Sequence, residues 1–318
     1  MSAVTLEPPA PPESASKPAP ARRRPRPPRK PIRPGHPEEA MSIASSALTV
    51  IALVCVWVLL QLLVLGGISH ARSQHLLYSE LRSELAAATV PTGELDYDGK
   101  PVEAGAPVAL LTIPTLGLQQ VVVDGTSSSD LMAGPGHLRS TPMPGQAGIS
   151  VVMGRARTYG GPFGRIAELR KGDAIDVLNA TGQVSYTVID VRRAGDPIPQ
   201  PPTGSRAGRL TLVSAEGSGN LSALTPRSAV YVDAETAKAT PAGVVAPISA
   251  AEQPLARDTD ALPLLVLVLA LLAAAVLAIS AARRHFRAAL VWTVAAPVVV
   301  ALAWAITDQV TRLLPNLM

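Results

Sequence analysis

Few residues in this chain have chemistry to offer. The single cysteine, Cys55, lies inside an apolar run, so no disulfide can form within the chain and no thiol is available outside that run. A hydroxyl nucleophile needs activation, and Ser214, in LTLVSAE (Leu210 to Glu216), is not set in a GxSxG elbow. His137, in GPGH, is the sole histidine between residues 104 and 234. It could line a cleft as a proton shuttle, but with no nucleophile the expected role is that of a hydrogen-bonded structural residue. Asp124, Asp130, Asp173 and Asp176 lack the spacing of a calcium loop and read as turn and solvent-face residues. Neither a metal nor a cofactor is expected.

The elements that must position these groups follow from composition. The chain has 318 residues, 47% of them hydrophobic and 3% aromatic, with 31 prolines. That is too apolar for a disordered protein and too proline-rich for a single domain. The net charge of +4 comes largely from the first 33 residues and one short loop. It therefore points to membrane topology and argues against nucleic acid as a partner.

Residues 1–42, rich in Pro, Ala and Arg, read as a disordered cytoplasmic tail, which either docks on anionic headgroups or a partner or simply fixes orientation. Residues 43–68 carry no charge and are long enough for a first transmembrane helix. A cleaved signal peptide is the alternative; the length of the preceding tail and of the apolar run disfavours it. Residues 69–103 should form a stalk helix, with Leu76, Leu77, Leu81 and Leu85 at helical spacing, and a linker. His70 and His75 at its base read as solvated.

Residues 104–234 change to short β-branched runs: VALLTIP, QQVVVDG, GISVVMG, DAIDVLN, VSYTVIDVRR, RLTLVS and AVYVDA. This pattern predicts an all-β barrel or sandwich with one or two short helices, GPFGRIAELRKGD being the best candidate. A linker follows at 235–261, then transmembrane helices at 262–282 and 288–306, a turn at 283–287 and an external tail at 307–318. Arg283, Arg284 and Arg287 place that turn in the cytoplasm, which puts the β domain outside the cell. Ala270, Ala274, Ala278 and Ala282 on one face, with Ala301 and Ala305 on the next helix, suggest close helix packing.

Between Val108 and Asp233 the chain resembles a sortase. The resemblance is carried by LLTIPTLGLQQVVVDGT, LMAGPGHLRSTPMPGQAG, VVMGRARTYGGPFGRIAELRKGDAIDV, LTLVSAE and PRSAVYVDA, in the family's order. It implies a mainly β fold: a sortase-like β-barrel outside the membrane, here with three transmembrane helices. In that family a cysteine thiolate attacks a sorting signal, a histidine moves the proton and an arginine steadies the oxyanion. The family's TLVTC pattern falls on Thr211 to Ala215, so Ala215 stands at the nucleophile position. The AGHR pattern falls on Met153 to Ala156, so Arg155 stands at the histidine position, and a guanidinium keeps its proton at ordinary pH. Only the arginine is retained, at Arg227. Strand alternation turns Ser214 away from the face of Ala215.

The resemblance with these replacements implies a membrane-anchored, catalytically inactive binding or assembly partner at a Gram-positive cell envelope. Its partners would be the membrane and either a surface protein bearing a sorting-like peptide or another sortase. The alternative is an active transpeptidase or hydrolase using non-standard residues. An ion-pair cluster of Arg155 and Arg227 around Glu216, with His137 nearby, is the expected content of the cleft.

Overall fold

The computed structural model describes residue 48, residues 51–93, 95, 100, 102–216, 228–243, 245–247, 250–283 and 286–318. The tail at 1–42, most of residues 43–50, Arg227 and Arg284 lie outside the described residues.

All seven β-branched runs are strands. The barrel is built from β1 (Pro107–Ile113), β2 (Leu118–Asp124), β3 (Gly136–His137), β4 (Gly148–Met153), β5 (Ala174–Asn179), β6 (Gly182–Arg193), β7 (Gly208–Glu216) and β8 (Ser228–Thr236). It closes in the order β1-β2-β3-β4-β7-β8-β6-β5, which removes free sheet edges. β2 pairs with β3 and β4 with β7 in parallel, the latter from Gly148 with Gly208 to Met153 with Val213. The interior is filled by alternate residues such as Leu111, Val152, Phe163, Ile175, Leu210, Leu212 and Val232. β3 has only two residues and no alternation to announce it.

GPFGRIAELRKGD forms only a 3-10 turn at Ile166–Glu168. Pro162 and Gly164 interrupt any longer helix, and the exposed Arg165–Glu168 pair, at 2.8 Å, has the i,i+3 spacing of that turn. Gly172, with φ +100°, closes the segment in a conformation side chains avoid.

Two helices among the described residues are long and apolar enough to cross a membrane, rather than the three expected. They are α4 (Leu262–Ala282) and α5 (Ala288–Leu313); α3 is the single turn Asp130–Ala133 between β2 and β3. The first expected span is represented among those residues by α1 (Ile51–Leu60), which is too short alone. α1 runs through a π turn, Gln61–Leu65, into α2 (Gly66–Ala87), which ends on the left-handed residue Ala88. Val54 packs with Val268, Leu272, Ala303 and Ile306, so α1, α4 and α5 form one bundle. The alanine face makes only part of the contact: Ala270, Ala274, Ala278 and Ala301 are exposed, Ala282 is half-buried, and Ala305 packs in the cluster. Val268 and Leu272 are buried instead, because large aliphatic side chains fill the space between helices as well as small ones.

α2 is no free stalk. Leu81 is buried, and with Leu77 and Leu85 it packs on Val90, Leu110 and Val121 of the barrel wall, leaving Leu76 exposed. The Gln74 amide donates to the Val121 and Ala133 carbonyls (3.1 and 2.9 Å) and accepts from the Val121 amide (2.7 Å), standing in for a strand neighbour. His70 is buried as well, with Nε2 2.8 Å from Gln120 Oε1, whereas His75 is exposed.

Candidate functional site

The register of β4 and β7 decides where the two replaced positions lie. Met153 is opposite Val213, and the Gly154 amide continues the ladder to the Val213 carbonyl at 2.9 Å. Arg155 is two residues beyond Met153 and Ala215 two beyond Val213, so they sit side by side at the ends of adjacent parallel strands. Alternation along β7 sends Leu210 and Leu212 into the barrel and Val213 to the outer face. The half-buried Ala215 shares that outer face, in a cluster with Leu131, Leu138, Met153, Ala229 and Leu317.

Ser214, on the inward side, is completely buried, and its hydroxyl donates to the Gly154 carbonyl at 3.0 Å. It is sequestered from any substrate. Gly154 itself is required by packing, since a Cβ there would lie 2.5 Å from the Phe163 ring.

Arg155 is completely buried. Its Nη2 donates to the Ser128 carbonyl (2.7 Å) and hydroxyl (3.1 Å), and its Nη1 to Thr158 Oγ1 (3.0 Å). The guanidinium also sits 5.3 Å from the centre of the Tyr159 ring, while Nε has no partner. No carboxylate of the described residues pairs with it. Burial pushes its pKa down to about 10, so it remains a cation at neutral pH.

Glu216 does not pair with Arg155 as expected. Its carboxylate takes a two-pronged bond from Arg193 of β6, with Nε at 2.6 Å and Nη2 at 2.8 Å. Alternation explains the difference, because Glu216 leaves β7 on the face opposite Ala215. Arg227 lies outside the described residues.

His137 is buried, with Nδ1 3.3 Å from Asp124 Oδ1 and Nε2 near the carbonyls of Thr141 (3.0 Å) and Pro142 (3.1 Å). Thr141 Oγ1 is 3.3 Å from Nε2, an order of hydroxyl, imidazole and carboxylate that resembles a hydrolase triad. The hydroxyl, however, donates to the Leu138 carbonyl at 2.7 Å and accepts from the Val151 amide, so its proton points away from the imidazole. Asp124 is no solvent-face residue: it is fully buried and also paired with Arg139 at 2.9 Å. Asp130 is largely buried too, which raises its pKa, and it accepts from the Ser127 amide and hydroxyl. Asp173 and Asp176 bond the Arg170 amide and the Ser185 hydroxyl on the surface. Among the described residues no group of three His, Cys, Asp or Glu could hold a metal.

The loop after β4, from Arg155 to Gly161, is where α2 and α5 meet the barrel. Gly66 approaches the Tyr159 backbone, His70 packs on Gly160, and the Tyr159 hydroxyl is 3.4 Å from Thr311 Oγ1 of α5. Residues 315–318, the end of the expected external tail, then pack over the outer face. Nothing local in LLPNLM marks it, because its burial comes from partners far away in sequence.

Residues 111–214 match the Sortase domain family model, ending one residue before Ala215. The barrel belongs to the sortase family. Sortase D of Bacillus subtilis (strain 168) is 31% identical over 90 residues, 28% of this chain and 44% of that protein. Sortase A of Listeria monocytogenes is 23% identical over 128 residues, 40% of this chain and 55% of that one. The chain thus spans about half the length of the curated relatives it matches. Among solved structures, sortase E from Streptomyces avermitilis is 25% identical with a TM-score of 0.33, covering 46% of this chain and 93% of that one. The SrtA sortase from Actinomyces oris is 24% identical with a TM-score of 0.36, covering 43% and 82%.

Proposed function

We propose that this sortase-family protein is membrane-anchored and catalytically inactive, and that it serves as a binding or assembly partner at the cell envelope with its barrel outside the cell. The observation that carries the reading is the pair of strand ends where Ala215 offers a methyl group and Arg155 a buried cation. A methyl group cannot attack a carbonyl, and a guanidinium bonded to Ser128 and Thr158 cannot shuttle protons. The hydroxyls of Ser214, next to Ala215, and of Thr141, beside His137, donate to the Gly154 and Leu138 carbonyls. The partner would be a surface protein bearing a sorting-like peptide, or another sortase.

The test is incubation of the purified full-length chain with sorting-signal peptides, followed by mass spectrometry, alongside crosslinking capture from solubilised membranes. No cleavage or transfer product is expected, and a discrete envelope protein should be captured. Turnover that disappears in Arg227→Ala would overturn the reading in favour of an enzyme using non-standard residues.

A further inference from the structure

The chain supplies its own occupant for the face beside Ala215. After α5 the segment Leu314–Met318 turns back onto the barrel, with Asn316 and Leu317 0% exposed and Met318 2%. It is held as a bound peptide would be. The Ala156 amide donates to the Leu317 carbonyl at 2.9 Å, and Thr158 Oγ1 donates to the Met318 main-chain oxygen at 2.5 Å. The Asn316 side-chain amide donates to the carbonyls of Thr126 (2.9 Å) and Gln253 (3.0 Å). Leu317 belongs to the apolar cluster of Leu131, Leu138, Met153, Val213 and Ala229. Main-chain bonds fix the register and two side chains fill specific seats.

We propose that residues 314–318 are a displaceable strap, latched by Arg155 through Thr158, that closes this face of the barrel in cis. The inference rests on the reading of the barrel as a binding module and adds how its site is gated. Arg155 has a positioning role. Its Nη1 fills an acceptor site of the Thr158 hydroxyl, leaving the one hydroxyl proton for Met318. The cation at the family's histidine position thus acts through the latch.

Two observations mark the strap as releasable. Asn316 Oδ1 and Arg155 Nε are both buried without partners, so the closed state is incompletely satisfied. The strap is also tied to the membrane bundle. The Thr311 carbonyl of α5 accepts from the Ser128 hydroxyl at 3.1 Å, and Ser128 in turn binds Arg155. A shift of α5 against the barrel therefore pulls on strap and latch together. Release would bare a contiguous apolar surface next to Ala215, the kind of patch that takes an extended peptide with a large aliphatic side chain.

The probe is a fluorescein-labelled peptide with the sequence of residues 311–318, added to the full-length protein in detergent. Leu317→Asp should raise its affinity at least about 10-fold over the unsubstituted protein. Hydrogen exchange at Ala156 should accelerate by a similar factor while the amides of β7 and β8 stay protected. If Leu317→Asp opens the strands themselves, Asn316→Ala, which removes two bonds made by the strap and leaves the seats used by the probe intact, is read in the same two ways. Protected strands with no gain in probe binding would overturn the strap. Probe binding in the released variant without capture of any envelope protein would support the strap and count against the partner role.

Discussion

At the scale of single residues, the strand ends that the sortase resemblance aligns with catalytic positions are occupied by tightly packed groups. Gly154 shows this most directly. Its Cα faces the ring of Phe163, itself 1% exposed, so any side chain must displace a core aromatic. Gly154→Ala should cost about 1 to 3 kcal/mol by overpacking, read as a lower thermal midpoint of the solubilised protein. Ala215 and Arg155 were legible as neighbours only through the resemblance to a sortase. The partners of Arg155 were not, because Ser128, Thr158 and Tyr159 acquire their meaning only when α5 and the strap bury the loop. The expected Arg155–Glu216 cluster failed for a simpler reason: one step along β7 reverses the face.

At the scale of elements, the strands were readable because β-branched runs alternate, and β3 escaped because two residues cannot. α2 was readable as a helix but not as a docked one. Gln74 and His70 look like solvent-facing residues until the wall of β2 is placed beside them. Burial lowers the pKa of His70, and the nearby Arg155 charge adds to the effect against the hydrogen bonds to Gln120 and Met132. The docked imidazole is thus held neutral. A folded pKa below the unfolded value of about 6.5 means that docking is at full strength above that pH and weakens as pH falls through it. Hydrogen exchange of the Val121 amide, which Gln74 caps, should therefore accelerate relative to the core of β7 between about pH 7 and pH 5. His70→Gln should flatten this dependence.

At the scale of the whole molecule, the proposed orientation rests on charge asymmetry: arginines before residue 43 and at Arg283 and Arg287 favour the cytoplasmic side for the tail and for the turn between α4 and α5. In a Cys55→Ala background, cysteines introduced at exposed Gln183 or Lys238 should react with a membrane-impermeant maleimide in intact cells, and one at Phe286 only after lysis. Labelling at Phe286 in intact cells would reverse the topology. The spans themselves were visible as apolar runs. The extension of α5 to Leu313, and the fold-back beyond it, were not visible, because hydropathy ends where tertiary contact begins.

The π turn at Gln61–Leu65 separates two jobs along one rod. A single extra residue in a turn offsets the side-chain rows above it by about 100° from those below. The stripe that α1 shows to the bundle and the stripe that α2 shows to the barrel are therefore phased independently. Torsion at this one joint, without bending the rod, would turn a rearrangement within the helix bundle into a rotation of the platform on which the barrel rests.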